Sequence, residues 1–171
     1  MPGRPHLTGP HLPRPVRVRR LLAGAAPLLL LAACGESTVE LDAPGLEPDA
    51  AEACARLLDE LPEAVADQPR REVQPADVAG AAWGDPAIEL VCGVPRPEGF
   101  TRTSICTTVD DVDWYVPEEQ LQQQGDLVMT LVNREQHVEV RMPAEYWPPA
   151  TTLADLGPAV SSALDATGSC Y

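Results

Sequence analysis

Lysine is absent from this 171-residue chain: all twelve of its basic Lys/Arg-type side chains are arginine, set against 26 aspartates and glutamates. Aromatics are scarce, with one phenylalanine among seven. No two cysteines are spaced Cys-x-x-Cys, no Gly-x-Ser-x-Gly elbow surrounds a serine, and no glycine-rich phosphate loop occurs. The machinery of zinc ribbons, serine hydrolases and nucleotide-binding folds is therefore not visible. Nor is there an apolar run long enough to cross a bilayer, which takes roughly 20 residues. Only thirteen residues separate Arg20 from Cys34. The want of lysine beside abundant alanine and proline reads as the coding bias of a GC-rich, actinobacterial genome.

What is present begins with that thirteen-residue run. Arg17, Arg19 and Arg20 form a basic n-region, Leu21 to Ala33 an apolar h-region, and Leu31-Ala32-Ala33-Cys34 a lipobox. The pattern predicts a lipoprotein signal peptide over 1–33, cleaved before Cys34, whose acylated side chain would anchor the protein in the lipid bilayer on the extracytoplasmic face. Leu21-Leu22 after Arg19-Arg20 favours the general secretory route over twin-arginine export. The proline-rich prelude leaves Val16 or Val18 open as the true start.

The portion from Cys34 onward is long enough for one domain with its own core. It keeps all 26 acidic residues but only seven arginines, a formal net charge of −19. Such a charge repels phosphates, so nucleic acid is excluded as a partner and anionic lipid does not hold the domain. Cys54, Cys92, Cys106 and Cys170 make an even set in an exported domain and predict two disulfides. Of three pairings, Cys92 with Cys106 on neighbouring strands and Cys54 with Cys170 are favoured.

Residues 34–46 lack periodicity and suit a flexible tether; 47–171 reads as the globular domain. Pro48-Asp49 opens a helix with Ala50, Cys54, Leu57, Leu58 and Leu61 at helical spacing, stopped by Pro62. Asp67 to Val78 reads as a loop. Strands are predicted at Ala87–Cys92, about 104–109 and 112–116, and in a hairpin of 126–132 with 136–142. Thr152 with Asp155 resembles a capping box opening a last helix, which Gly157-Pro158 should break. The order implies an α+β fold: an antiparallel sheet of four to five strands with the N- and C-terminal helices on one face.

Ala82-Trp83-Gly84-Asp85-Pro86-Ala87-Ile88, then Cys92-Gly93-Val94-Pro95-Arg96-Pro97 and Val112-Asp113-Trp114, resemble an actinobacterial lipoprotein family, domain of unknown function 3515, over roughly Leu46 to Cys170. The resemblance implies exported lipoproteins without an established activity.

Candidate sites are few. His137 is the only histidine after Cys34 and lies near a hairpin turn, a poor place for a general base. Asp110, Asp111 and Asp113, with Glu118 and Glu119, form an acidic cluster without the EF-hand pattern, so a solvated loop is favoured and no metal or cofactor is expected. Trp83, Trp114 and Trp147 admit two readings: core filling, or a binding surface with Asp85 and Arg96, where an arginine near tryptophan would select a carboxylate. Arg102 shares the loop of Arg96. The expectation is a noncatalytic envelope module binding a protein or cell-wall component; the alternative is a small exported hydrolase acting on a wall glycan or peptide.

Overall fold

The computed structural model describes residues 38–170, with Gly3 and Gly9 in isolation; Cys34 and the rest of the expected signal segment lie outside the described residues. Ten strands and three α-helices follow in order among the described residues: β1 (Val39–Glu40), α1 (Pro48–Glu60), β2 (Ala64–Val65), β3 (Gln68–Arg71), β4 (Val73–Gln74), β5 (Gly80–Trp83), β6 (Ile88–Cys92), β7 (Cys106–Val109), β8 (Val112–Tyr115), α2 (Glu118–Gln123), β9 (Leu127–Leu131), β10 (Val138–Met142) and α3 (Pro149–Ala163), with a 3-10 turn at Ala144–Tyr146. Eight strands form one sheet in the order β2-β3-β5-β6-β10-β9-β8-β7, every pairing antiparallel. The fold is thus mixed α and β as expected, but the sheet has eight strands, not four to five.

The additional strands lie where sequence patterning fails. Between Ala64 and Gln74, runs of two to four residues are too short for alternation to show, and Pro69 and Pro75 argue against strand. Gly80-Ala81-Ala82 in β5 has poor β propensity, yet small residues are required there. A Cβ on Gly80 would come within 2.6 Å of the Leu90 carbonyl oxygen and 2.8 Å of the Leu41 Cδ1. Leu41 itself is 6% exposed. The expected tether therefore joins the fold within its length, Val39-Glu40 pairing in parallel with Val73-Gln74.

One face of the sheet carries the core. Leu90 of β6 stands opposite Ala81 of β5 and Val140 of β10, and Ile88 opposite Trp83. Val138, Val140 and Met142 stand in turn opposite Leu131, Met129 and Leu127 of β9, and Trp114 of β8 opposite Leu131. All share one cluster with Ala53, Cys54 and Leu57 of α1 and Leu153, Leu156 and Val160 of α3. The period of two along the strands and of three to four along the helices accounts for this sorting. Helix α1 starts at Pro48 as predicted, and Pro62 forces Leu61 into extended backbone, ending it.

Helix α3 differs from expectation. It begins at Pro149 and runs through Pro158 to Ala163. An interior proline costs roughly 3 kcal/mol, but Leu156, Ala159, Val160 and Ala163 are buried on both sides of it, and their burial outweighs the local loss. No capping box forms: the Thr152 hydroxyl is buried against the Met142 sulfur, and Asp155 accepts the Ala66 amide at 2.8 Å.

The disulfides are Cys54–Cys92 and Cys106–Cys170, correcting the favoured pairing of Cys92 with Cys106 and Cys54 with Cys170. Strands β10, β9 and β8 intervene between β6 and β7, which puts Cys92 and Cys106 about 19 Å apart at ordinary strand spacing, beyond any disulfide. Cys92 instead faces α1 across the core.

The Trp83-Gly84-Asp85-Pro86 segment is a packing device. The buried Trp83 indole donates to the Pro62 carbonyl at the end of α1. Gly84 has φ +76°, and a Cβ there would lie 2.7 Å from the Tyr146 hydroxyl, so only glycine fits. Arg71 donates to the Gly84 carbonyl and the Tyr146 hydroxyl to that of Pro86. Trp83→Ala should therefore lower stability by about 3–5 kcal/mol in urea unfolding followed by far-ultraviolet dichroism. Asp85→Ala, at an exposed position, should stay within about 0.5 kcal/mol.

Candidate functional site

The residues expected to make an aromatic binding surface do not converge. Trp83 and Trp114 are each 0% exposed, in the core. Their core-filling reading is correct and their surface reading is not. Trp147 is half-buried, its indole bonded to the Gly125 carbonyl at 2.9 Å. Asp85 and Trp83 lie at the Ile88 end of β6, whereas Arg96 follows its Cys92 end. Among the described residues no group of three or more His, Cys, Asp or Glu side chains is placed to hold a metal ion.

Arg96 belongs to a different site. A cleft of about 220 Å³ opens between the β6–β7 loop and the C-terminal segment, lined by Arg96, Phe100, Arg102, Asn133 and residues 167–170, with the Thr101 and Ser104 hydroxyls at its rim. The loop is braced locally: the Thr101 amide donates to the Ser104 hydroxyl, and the Ser104 amide to the Thr101 carbonyl. The Phe100 ring packs edge-on against Tyr115 at 5.2 Å, and the Arg96 guanidinium lies 4.7 Å from the Phe100 centroid. Stacking leaves a guanidinium's in-plane N–H groups free to donate.

The opposite wall is held by one carboxylate. Asp113, 6% exposed, accepts from the Thr108 hydroxyl at 2.7 Å, from the Asn133 side-chain amide at 3.0 Å and from the Cys170 backbone amide at 2.8 Å. The Thr167 amide donates to the Asn133 carbonyl, and Cys170 is bridged to Cys106. Asp113 is thus not part of a solvated acidic loop. Asp110 and Asp111, with φ +48° and +61°, are the central pair of a tight hairpin turn between β7 and β8.

The arginines differ in their partners. Of the seven arginines after Cys34, Arg56 pairs with Glu52 and Glu135, and Arg141 with Glu89 and Glu139. Neither Arg96 nor Arg102 has a carboxylate within ion-pair distance among the described residues. The buried Asn133 Oδ1 has no hydrogen-bond partner either. Burial, then the Arg96 charge, lowers the His137 pKa from its ordinary value, partly offset by a bond with the Val94 backbone. Sequence reading missed Phe100, Asn133 and the tail. Phe100, the only phenylalanine, set between Arg96 and Arg102, was the available signal.

Asp113→Asn should cost roughly 2–3 kcal/mol, because an amide turns a donor toward groups that donate, and hydrogen exchange at the Cys170 amide should quicken. The unfolded chain protonates His137 near its ordinary pKa and the folded chain only below it, so the unfolded state binds more protons between those values. Stability is then full above about pH 6.5 and falls as pH drops through the folded value. His137→Gln should show a smaller loss of Tm between pH 7.5 and 5 than the parent.

No curated protein and no solved structure matches the chain. The family described as a protein of unknown function, DUF3515, matches residues 18–168. That span takes in the core tryptophans, the Gly84 turn, three of the four bridged cysteines and the loop of Arg96 and Arg102, and the chain belongs to the DUF3515 family.

Proposed function

We propose that the protein is a lipid-anchored, extracytoplasmic module of the cell envelope whose domain binds an anionic ligand without catalysing its conversion. The observation that carries the reading is the pair Arg96 and Arg102, which line one cleft and, among the described residues, have no carboxylate within ion-pair distance, in a portion of the chain bearing a net charge of −19. Two guanidiniums lining one concave site in so acidic a chain offer charged N–H donors to an anionic ligand. The long-range field repels anions, so recognition must come from close, directional contacts in a concave site, a situation suited to guanidinium groups.

Anchoring is supported by the apolar run ending in Leu31-Ala32-Ala33-Cys34 and by two disulfides, which persist in an oxidising compartment. Among the described residues no helix is long and apolar enough to cross a membrane, so acyl chains on Cys34 are the anchor the reading needs. Envelope peptides and wall fragments carry carboxylates and are the ligands within reach.

Two results test the reading. Cys34→Ala should move the protein from the membrane to the soluble fraction and abolish any acyl mass on the N-terminal peptide; a variant still in the membrane fraction refutes lipid anchoring. In the parent, muropeptides should give saturable binding that weakens about tenfold in Arg102→Gln. Equal binding by parent and variant would place the ligand elsewhere.

A further inference from the structure

We propose that the outer edge of β7 is a docking site for an extended segment of a positively charged protein partner, which adds a strand to the sheet there. The two outer strands of the sheet are treated differently. At one end β2 is two residues long, and Asp155 of α3 takes the amide of Ala66 just after it. At the other end β7, Cys106-Thr107-Thr108-Val109, carries no proline, no charge and no bulge, the devices that ordinarily keep an edge from pairing.

The register decides which backbone groups face outward. With Asp110 and Asp111 as a two-residue turn, the flanking pair Val109 and Val112 exchanges both ladder hydrogen bonds, and Thr107 with Trp114 is the next such pair. The N–H and C=O groups of Cys106 and Thr108 therefore point away from β8, and among the described residues none hydrogen-bonds to them. Helix α3 underlies the turn end of the hairpin, where a Cβ on Gly157 would lie 3.8 Å from that of Asp110. Ile105 and Thr108 remain exposed. Side-chain specificity has a place as well: Ile105 is 83% and Leu121 37% exposed, the large apolar side chains left uncovered among the described residues. Both line one groove of about 480 Å³ between the start of β7 and α2. An unpaired edge beside an apolar groove is the arrangement that takes up an extended peptide, main-chain bonds holding it and alternate side chains entering the groove.

Charge names the occupant. Glu118 and Glu119 line the groove, no basic side chain does, and neither acid has an ion-pair partner among the described residues. Asp110 and Asp111 lie at the other end of β7. A second copy of the chain is disfavoured by this distribution. Two β7 edges paired about a twofold axis run antiparallel, which brings the Glu118–Glu119 end of one copy to the Asp110–Asp111 end of the other, acid against acid. A strand that is basic at its ends and apolar at alternate positions between them meets both needs.

The test uses the full-length, isotope-labelled protein and the capped peptide Arg-Val-Thr-Val-Arg. Its comparisons are the same peptide with glutamate for arginine, and two forms N-methylated either at the arginines and threonine or at the valines. The basic peptide should bind saturably, shift the Cys106 and Thr108 backbone amides and slow their hydrogen exchange, and bind more weakly as salt rises. The acidic peptide should bind at least tenfold more weakly, and one methylated form, the one that has lost the ladder-facing N–H groups, should lose binding while the other keeps it. Ile105→Ser, at an exposed position, should leave Tm unchanged and weaken binding about tenfold, as should Glu118→Gln combined with Glu119→Gln. Equal binding of the basic and acidic peptides overturns the proposal, as does undiminished binding by both methylated forms. Self-association of the protein that Ile105→Ser abolishes would assign the edge to a second copy instead, and shifts at Ile105 with phosphatidylcholine vesicles but not with the peptide would assign it to a lipid surface. No perturbation of residues 104–108 by the basic peptide at millimolar concentration also overturns it.

Discussion

The Asp113 carboxylate is the constraint on which one half of the molecule rests. Removed from water, such a group is tolerated only when donors surround it. Its donors come from β7, from the turn after β9 and from the chain near its C-terminus. Satisfying one acidic side chain therefore fixes three segments far apart in sequence. The same contacts hold Asn133 and Cys170, both of which line the cleft, so its geometry follows from the solvation needs of a residue behind it. The Cys106–Cys170 bridge ties the tail covalently at the same place.

The other half rests on α1 and the Gly84 turn. The Cys54–Cys92 bridge and the Trp83 bond to Pro62 join α1 and its exit to β6 and β5, and the Arg71 bond to Gly84 ties β3 to the turn after β5. The arginines show how the two halves differ in purpose. Arg56, Arg134 and Arg141 pair with acids or cap backbone carbonyls, Arg70 lies 5.9 Å from the Trp83 centroid, and Arg71 supports the turn. Arg96 in turn lies over the one phenylalanine, and with Arg102 it lines the cleft.

Much of the fold was legible because it was periodic. Leu127, Met129 and Leu131 against Val138, Val140 and Met142 alternate as only a half-buried hairpin does, and α1 announced itself through Pro48 and its leucines. Strands β2 to β5 were not legible. Their few residues include prolines, arginines and alanines chosen for close approach and turn geometry, properties that leave no hydrophobic rhythm. Helix α3 misled for a related reason: Pro158 is a local stop signal, and only the burial around it explains why the helix continues.

The residues that most identify the chain, the tryptophans and the Gly84 turn, proved to be packing. The residues that form the cleft, apart from Arg96 and Arg102, carried no mark. By itself the sequence determined the class of the fold, the acidic balance and the even set of cysteines, because each is a matter of composition or local spacing. The tertiary structure alone decided which cysteines pair, which tryptophans are buried, that Asp113 is a hub rather than a surface acid, and that Arg96, Arg102 and Asn133 meet. Those depend on strand order, and strand order brings together residues whose separation along the chain says nothing of their distance in space.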